Sequence, residues 1–126
     1  MPEFGYAAGA DAVRAALAAG LVFDALVCPS DLLAVGALSA LAEAGVDVPG
    51  RVAVVGFDDV AVAAYTTPGL TSVRLDRRAV AGAAVELLLE RVDGAPGPGR
   101  SIRTPHQLVV RGSSAPVSRP TERVEE

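Results

Sequence analysis

The chain has 126 residues, 51% of them hydrophobic and 4% aromatic, and a formal net charge of -4 at pH 7. This length fits one compact domain or a piece of a larger one, and the low aromatic content indicates a core of small and β-branched side chains. The acidic balance argues against DNA binding by the chain itself, because no basic field is available to neutralise phosphates.

Rare residue types exclude several kinds of catalytic and metal site. All 11 basic residues are Arg, so no lysine is available for a Walker phosphate loop or a Schiff base. The single cysteine, Cys28, and the single histidine, His106, do not provide an internal disulfide or the usual Cys/His zinc site. The nucleophile elbow Gly-x-Ser-x-Gly is also missing from the sequence. We therefore expect no enzyme activity and no cofactor.

The sequence also lacks membrane and secretion signals. No apolar run approaches the about 18 residues that a membrane span requires. The first residues do not follow the basic, then apolar, then small pattern of a signal peptide. These observations predict a cytoplasmic protein without membrane contact.

The first half of the chain alternates between helix and strand patterns. Residues 6–20 are rich in Ala and end in Gly, which predicts a helix with a glycine stop. Residues 24–28 form a short apolar strand, and Ser30 or Asp31 can cap a helix over residues 32–44. That helix is apolar nearly all round, so it needs cover on two sides. Two layers of one domain, or a sheet and a partner subunit, would both provide it.

The second half continues this alternation. Residues 52–57 are a continuous apolar run, typical of a parallel strand covered on both faces. Residues 70–75 alternate like a strand, and Asp76 caps a second long helix, which should cover one side of a sheet. Residues 102–110 form a last strand that contains a proline and is therefore bent or at an edge. The order predicts an α/β fold with a mainly parallel sheet and flanking helices.

Two polar clusters follow predicted strands, where parallel α/β sheets bind ligands. Ser30 and Asp31 follow the first strand, and Asp58 and Asp59 follow the second. Helix capping is a sufficient explanation for the first pair, and a solvated loop for the second. The alternative is a neutral polyhydroxy ligand, because carboxylate oxygens accept hydroxyl hydrogen bonds.

Five stretches together follow one pattern, in order and spacing, across about residues 4–114. They are PSDLLAVGAL at 29–38, AGVDVP at 44–49, VVGFDD at 54–59, PGLTSV at 68–73 and LVVRGS at 108–113. This pattern resembles the C-terminal part of the LacI/GalR family of transcriptional regulators. The resemblance implies a type I periplasmic-binding-protein fold, in which two α/β subdomains enclose a small effector, commonly a sugar.

The resemblance also assigns segments of the chain. Residues 1–111 would be the C-terminal part of the effector-binding and dimerisation domain, with about 70–94 in the N-terminal subdomain. Composition predicts a disordered tail over residues 112–126. A full family member begins with a DNA-binding helix-turn-helix, which is absent from this sequence.

Candidate site residues follow from the same comparison. Asp58 matches an effector-contacting aspartate, Ser30 matches a polar effector contact, and Asp31 is the third candidate ligand-binding residue. The first two helices would lie near a dimer interface. Its candidate residues are Tyr6, Leu32, Val35 and Leu38.

The predicted function is effector binding and dimerisation in a truncated LacI-type DNA-binding regulator. The expected partners are a small-molecule effector, a sugar or related polyol, and a second copy of the chain. DNA binding would belong to the intact protein only. The alternatives are a free-standing sugar-binding protein of transport type and a non-functional fragment.

Overall fold

A computed structural model describes residues 4–115 of the chain. In chain order the elements are α1 (Tyr6–Ala18), β1 (Ala25–Val27), α2 (Asp31–Glu43), β2 (Ala53–Phe57), the 3-10 helix η1 (Ala61–Ala64), β3 (Thr71–Leu75), α3 (Arg77–Val92) and β4 (His106–Val109). The strands form one sheet in the order β1-β2-β3-β4. Only β4 is antiparallel to its neighbour. The prediction of an α/β fold with a mainly parallel sheet is confirmed.

The three parallel strands end at the same edge of the sheet, which we call the carboxyl edge. Val27 of β1 pairs with Val55, and Phe57 of β2 pairs with Val73. Because β4 runs the other way, its first residue, His106, lies at this edge too, opposite Leu75. The loops that leave the parallel strands therefore converge at one edge, where ligands bind in such sheets.

The core lies between α1, α2 and one face of the sheet. In α2, Ala34, Ala37 and Leu41 are at most 1% exposed, and Val54 of β2 is 0% exposed beneath them. The other side of α2 packs on α1. Two layers of the same chain therefore cover most of the apolar helix, while Leu32 stays 36% exposed and Val35 half-buried.

The two helices approach so closely that only glycine fits at the crossing. A Cβ at Gly9 of α1 would overlap the carbonyl oxygen of Leu33, and one at Gly36 of α2 would overlap that of Tyr6. Because these two glycines have no Cβ, the backbones of the two helices lie in direct contact at the crossing. The small alanine side chains of both helices pack closely beside it.

The third helix does not cover the sheet. No residue of α3 is buried, and Leu88 and Leu89 are 61% and 54% exposed. The sheet face opposite α2 is open as well, with Val27 and Leu108 exposed by 77% and 54%. The prediction that this helix covers the sheet is wrong for this chain, because an apolar stripe specifies that a helix needs cover but not which surface provides it.

Two observations concern the predicted segment boundaries. Strand β3 pairs with β2 in the same sheet, and the assignment of about residues 70–94 to an N-terminal subdomain stays a prediction. Ser113, near the start of the predicted tail, is 0% exposed, and its amide donates to the carbonyl of Gly69 at 2.8 Å. The rest of the predicted tail, residues 116–126, lies outside the described residues. The last strand does lie at an edge, as its proline indicated.

Across residues 4–115, the structure contains no helix that combines the length and the apolar character of a membrane span.

Candidate functional site

The turn that follows β2, residues 58–60, has an unusual backbone. Asp58 and Asp59 have φ angles of 101° and 48°. Asp adopts positive φ more readily than most residues, yet such conformations still cost about 1–3 kcal/mol each and persist only where the surroundings impose them. The 58–60 turn therefore needs contacts from outside its own sequence.

A buried carboxylate supplies one of these contacts. Asp31 is 1% exposed. Its Oδ2 accepts from the amide of Val60 at 2.7 Å, and its Oδ1 accepts from Ser72 Oγ at 2.6 Å. Gly56 lies directly against this carboxylate, where a Cβ would overlap Oδ1. Asp31 is thus enclosed by protein with both carboxylate oxygens occupied, and its contact with a ligand stays a prediction.

Two arginines hold the side chain of Asp59. Its carboxylate is 4% exposed and lies 2.6 Å from Arg74 Nε and 2.7 Å from Arg111 Nη1. Burial alone would raise the pKa of this carboxyl, but the hydrogen bonds from Arg111 and Arg74, together with their charges, lower the pKa overall. Asp59 is therefore ionised at neutral pH and occupied by structural partners.

The carboxylate of Asp58 has no such partners. The residue is half-buried, and its backbone carbonyl accepts from Arg77 Nη2 at 3.2 Å. Among the described residues, nothing donates a hydrogen bond to its side-chain oxygens or forms an ion pair with them. The turn thus places one unoccupied carboxylate at the carboxyl edge of the sheet, although its contact with a ligand stays a prediction.

Ser30 caps α2, as its position indicated. Its Oγ accepts from the amide of Leu33 at 3.3 Å. The hydroxyl is half-buried and keeps its hydrogen for a further bond. Capping explains the residue by itself, and the predicted effector contact would use only that remaining donor.

The lone cysteine is not a reactive thiol. Burial, reinforced by the negative charge of Asp31, raises the pKa of Cys28 to about 11. The thiol is therefore protonated at neutral pH, whereas nucleophilic cysteines need the thiolate. Within residues 4–115, no group of three or more His, Cys, Asp or Glu side chains is placed to hold a metal ion.

Comparison with known proteins identifies the family. Residues 3–114 match the periplasmic binding protein-like domain family. The HTH-type transcriptional regulator MalR of Streptomyces coelicolor is 48% identical over 99 residues, which are 79% of this chain and 28% of MalR. The chain belongs to the LacI/GalR family. Its fold matches part of the family's sensor domain, as the resemblance implied.

Two solved structures support the assignment of this LacI/GalR chain. The Lac repressor dimer bound to operator and the anti-inducer ONPF has a TM-score of 0.78 and 28% identity, over 89% of this chain and 39% of that one. A complex of the transcriptional regulator CelR with cellobiose has a TM-score of 0.77 and 34% identity, over 89% of this chain and 34% of that one. The chain spans only about a quarter to two fifths of these relatives.

The four candidate dimer residues of the LacI/GalR chain have different environments. Tyr6 is 51% exposed and Leu32 is 36% exposed, while Val35 is half-buried and lines a groove of about 420 Å³ between α1 and α2. Leu38 is 7% exposed and belongs to the core. It faces the interior of the chain, and its place at a dimer interface stays a prediction.

Sequence reasoning missed the arginines and the serine that hold the turn. Arg74 and Ser72 lie on β3, and Arg111 follows β4. Their partner Asp59 is 15 residues from Arg74 and 52 residues from Arg111 along the chain. The polar Ser72 inside an apolar strand pattern was the one local signal that a buried acceptor lay nearby.

Proposed function

We propose that this chain supplies effector binding and dimerisation to a LacI-type DNA-binding regulator, and that the effector is a sugar or a related polyol. The observation that carries the proposal is the unoccupied carboxylate of Asp58 on a fixed turn at the carboxyl edge. A carboxylate there accepts two hydroxyl hydrogen bonds from one ligand. The cellobiose bound by the CelR neighbour supports a sugar of this kind.

Dimerisation is assigned to the outer face of α1 and α2. Tyr6 and Leu32 expose apolar surface there, and the groove beside Val35 offers a complementary recess. A two-fold dimer uses the same patch on both copies, so a patch that contains both a projection and a recess suits self-association. The Lac repressor neighbour is a dimer, which supports this assignment.

DNA recognition is assigned to other parts of the intact regulator. The net charge of -4 leaves this chain without the positive field that duplex binding requires. A cytoplasmic location belongs to the same proposal, because the relatives are transcriptional regulators.

Sugar titration of the purified chain tests the effector site. Calorimetry with cellobiose, maltose and D-galactose as probes should detect binding of at least one sugar. Asp58→Ala should remove that binding. Asp24→Asn is the matched control, because Asp24 is an exposed aspartate before β1, at the opposite end of the strand from the carboxyl edge. An Asp58→Ala affinity within about threefold of the parent, below about 0.7 kcal/mol, would refute the site.

A further inference from the structure

The conformation of the 58–60 turn is imposed by groups from distant parts of the chain. The amide of Asp58 continues the β2–β3 ladder and donates to the carbonyl of Val73 at 3.0 Å. The next amide, of Asp59, donates to Ser72 Oγ at 3.0 Å, and the amide of Val60 donates to Asp31 Oδ2. The amides of Asp59 and Val60 therefore donate to side-chain oxygens, whereas the amide of Asp58 still donates to a backbone carbonyl of the neighbouring strand.

These side chains are tied to one another. Ser72 is 0% exposed and uses its hydroxyl twice, accepting from the turn and donating to Asp31. Asp31 in turn sits in the first turn of α2, where the helix dipole favours a negative charge. The carboxylate of Asp59 anchors the far side of the turn to two arginines. The turn is thus clamped between α2, β3 and the segment after β4.

We infer that Asp31, Ser72 and Asp59 are positioning residues for Asp58, and this inference rests on the proposed effector site. They hold two consecutive residues at positive φ, so the Asp58 carboxylate is aimed before a ligand arrives. A ligand binds more tightly to a carboxylate that is already ordered, because binding then does not include the entropy cost of ordering that side chain. None of the three needs to touch the effector itself.

Amide hydrogen exchange on the full 126-residue chain tests the clamp without any ligand. Ser72→Ala removes the acceptor of the Asp59 amide, and Asp31→Asn weakens the acceptor of the Val60 amide. Both variants should speed exchange at these two amides at least about tenfold, while amides within α1 keep their rates. Ser72→Thr retains the hydroxyl and should restore slow exchange, which separates a lost hydrogen bond from general unfolding.

Glu43→Gln serves as the matched control. Glu43 pairs with Arg14 on the outer side of the helices at 2.9 Å, so this change removes a carboxylate charge, as Asp31→Asn does, but leaves the turn untouched. Exchange at residues 59 and 60 within about twofold of the parent in both Ser72→Ala and Asp31→Asn would show that the backbone holds the turn unaided. That result would overturn the inference.

A sugar titration separates the positioning role from the proposed function. Asp59→Asn keeps the shape of the side chain and the free carboxylate of Asp58, and it should weaken binding of the sugar probe at least about tenfold. Glu43→Gln should leave that affinity unchanged. If the parent binds no sugar, the proposed function fails and hydrogen exchange alone decides the clamp. If the parent binds and Asp59→Asn or Ser72→Ala loosens the turn without weakening the affinity, the positioning role fails while the proposed function stands.

Discussion

Replacing Ser113 by Ala removes a hydroxyl that joins two strands and the segment after β4. Ser113 Oγ donates to the carbonyl of Val54 at 2.6 Å and accepts from the amide of Thr71 at 2.8 Å. Val54 and Thr71 are both 0% exposed. The substitution therefore leaves one buried acceptor and one buried donor without a partner, in the centre of the sheet.

The expected loss of stability is large. Each unsatisfied buried group costs about 1–3 kcal/mol, so two give about 2–6 kcal/mol, and we expect the lower half of this range because the backbone relaxes partly. A domain of this size has about 5–15 kcal/mol in total. Urea unfolding followed by circular dichroism measures this loss of stability. The transition midpoint should fall, while the dependence of the free energy of unfolding on urea concentration stays the same.

The matched control is Ser39→Ala, at an exposed position of α2. Its free energy of unfolding should stay within about 0.5 kcal/mol of the parent. If Ser113→Ala also stays within this margin, the hydroxyl has no structural role and residue 113 belongs to a tail after all. If the parent shows no cooperative transition, exchange of the Thr71 amide provides the same test locally, because Ser113→Ala removes its acceptor.

Three further results are expected. The isolated chain should not shift duplex DNA in a mobility assay at physiological salt, since its net charge is -4; specific, salt-resistant binding would contradict this. The chain should also melt at low temperature or self-associate, because Val27, Leu88 and Leu108 expose apolar surface; a monodisperse monomer with a sharp two-state melt in sedimentation and calorimetry would disprove it. Finally, Asp59 should make the free energy of unfolding vary with pH in the acid range. Its folded pKa is lowered, so its contribution is complete above the unfolded pKa of about 4 and is lost as pH falls through the folded value. Asp59→Asn should flatten that part of the pH profile, and an unchanged profile would rule out the ion pairs as its source.

Local patterns in the sequence determined the secondary structure and the polar edge. Ser30 and Asp76 cap helices at the expected positions, with Oγ of Ser30 accepting from Leu33 and Oδ1 of Asp76 accepting from Ala79. The apolar run that became β2 and the alternation that became β3 are properties of a few consecutive residues. The order of these elements was enough to predict a mainly parallel sheet and a ligand site at its carboxyl edge.

The roles of the aspartates were decided only in three dimensions. Asp31, Asp58 and Asp59 have the same side chain, and all three follow predicted strands. The resemblance singled out Asp58, whereas the sequence offered no structural partner for any of the three. Folding buries Asp31 against Ser72 and pairs Asp59 with two arginines, while Asp58 keeps its oxygens unoccupied. Whether a carboxylate is structural or available depends on which donors reach it, and here these donors come from segments up to 52 residues away. Sequence periodicity describes neighbours along the chain, whereas hydrogen bonding and desolvation depend on neighbours in space.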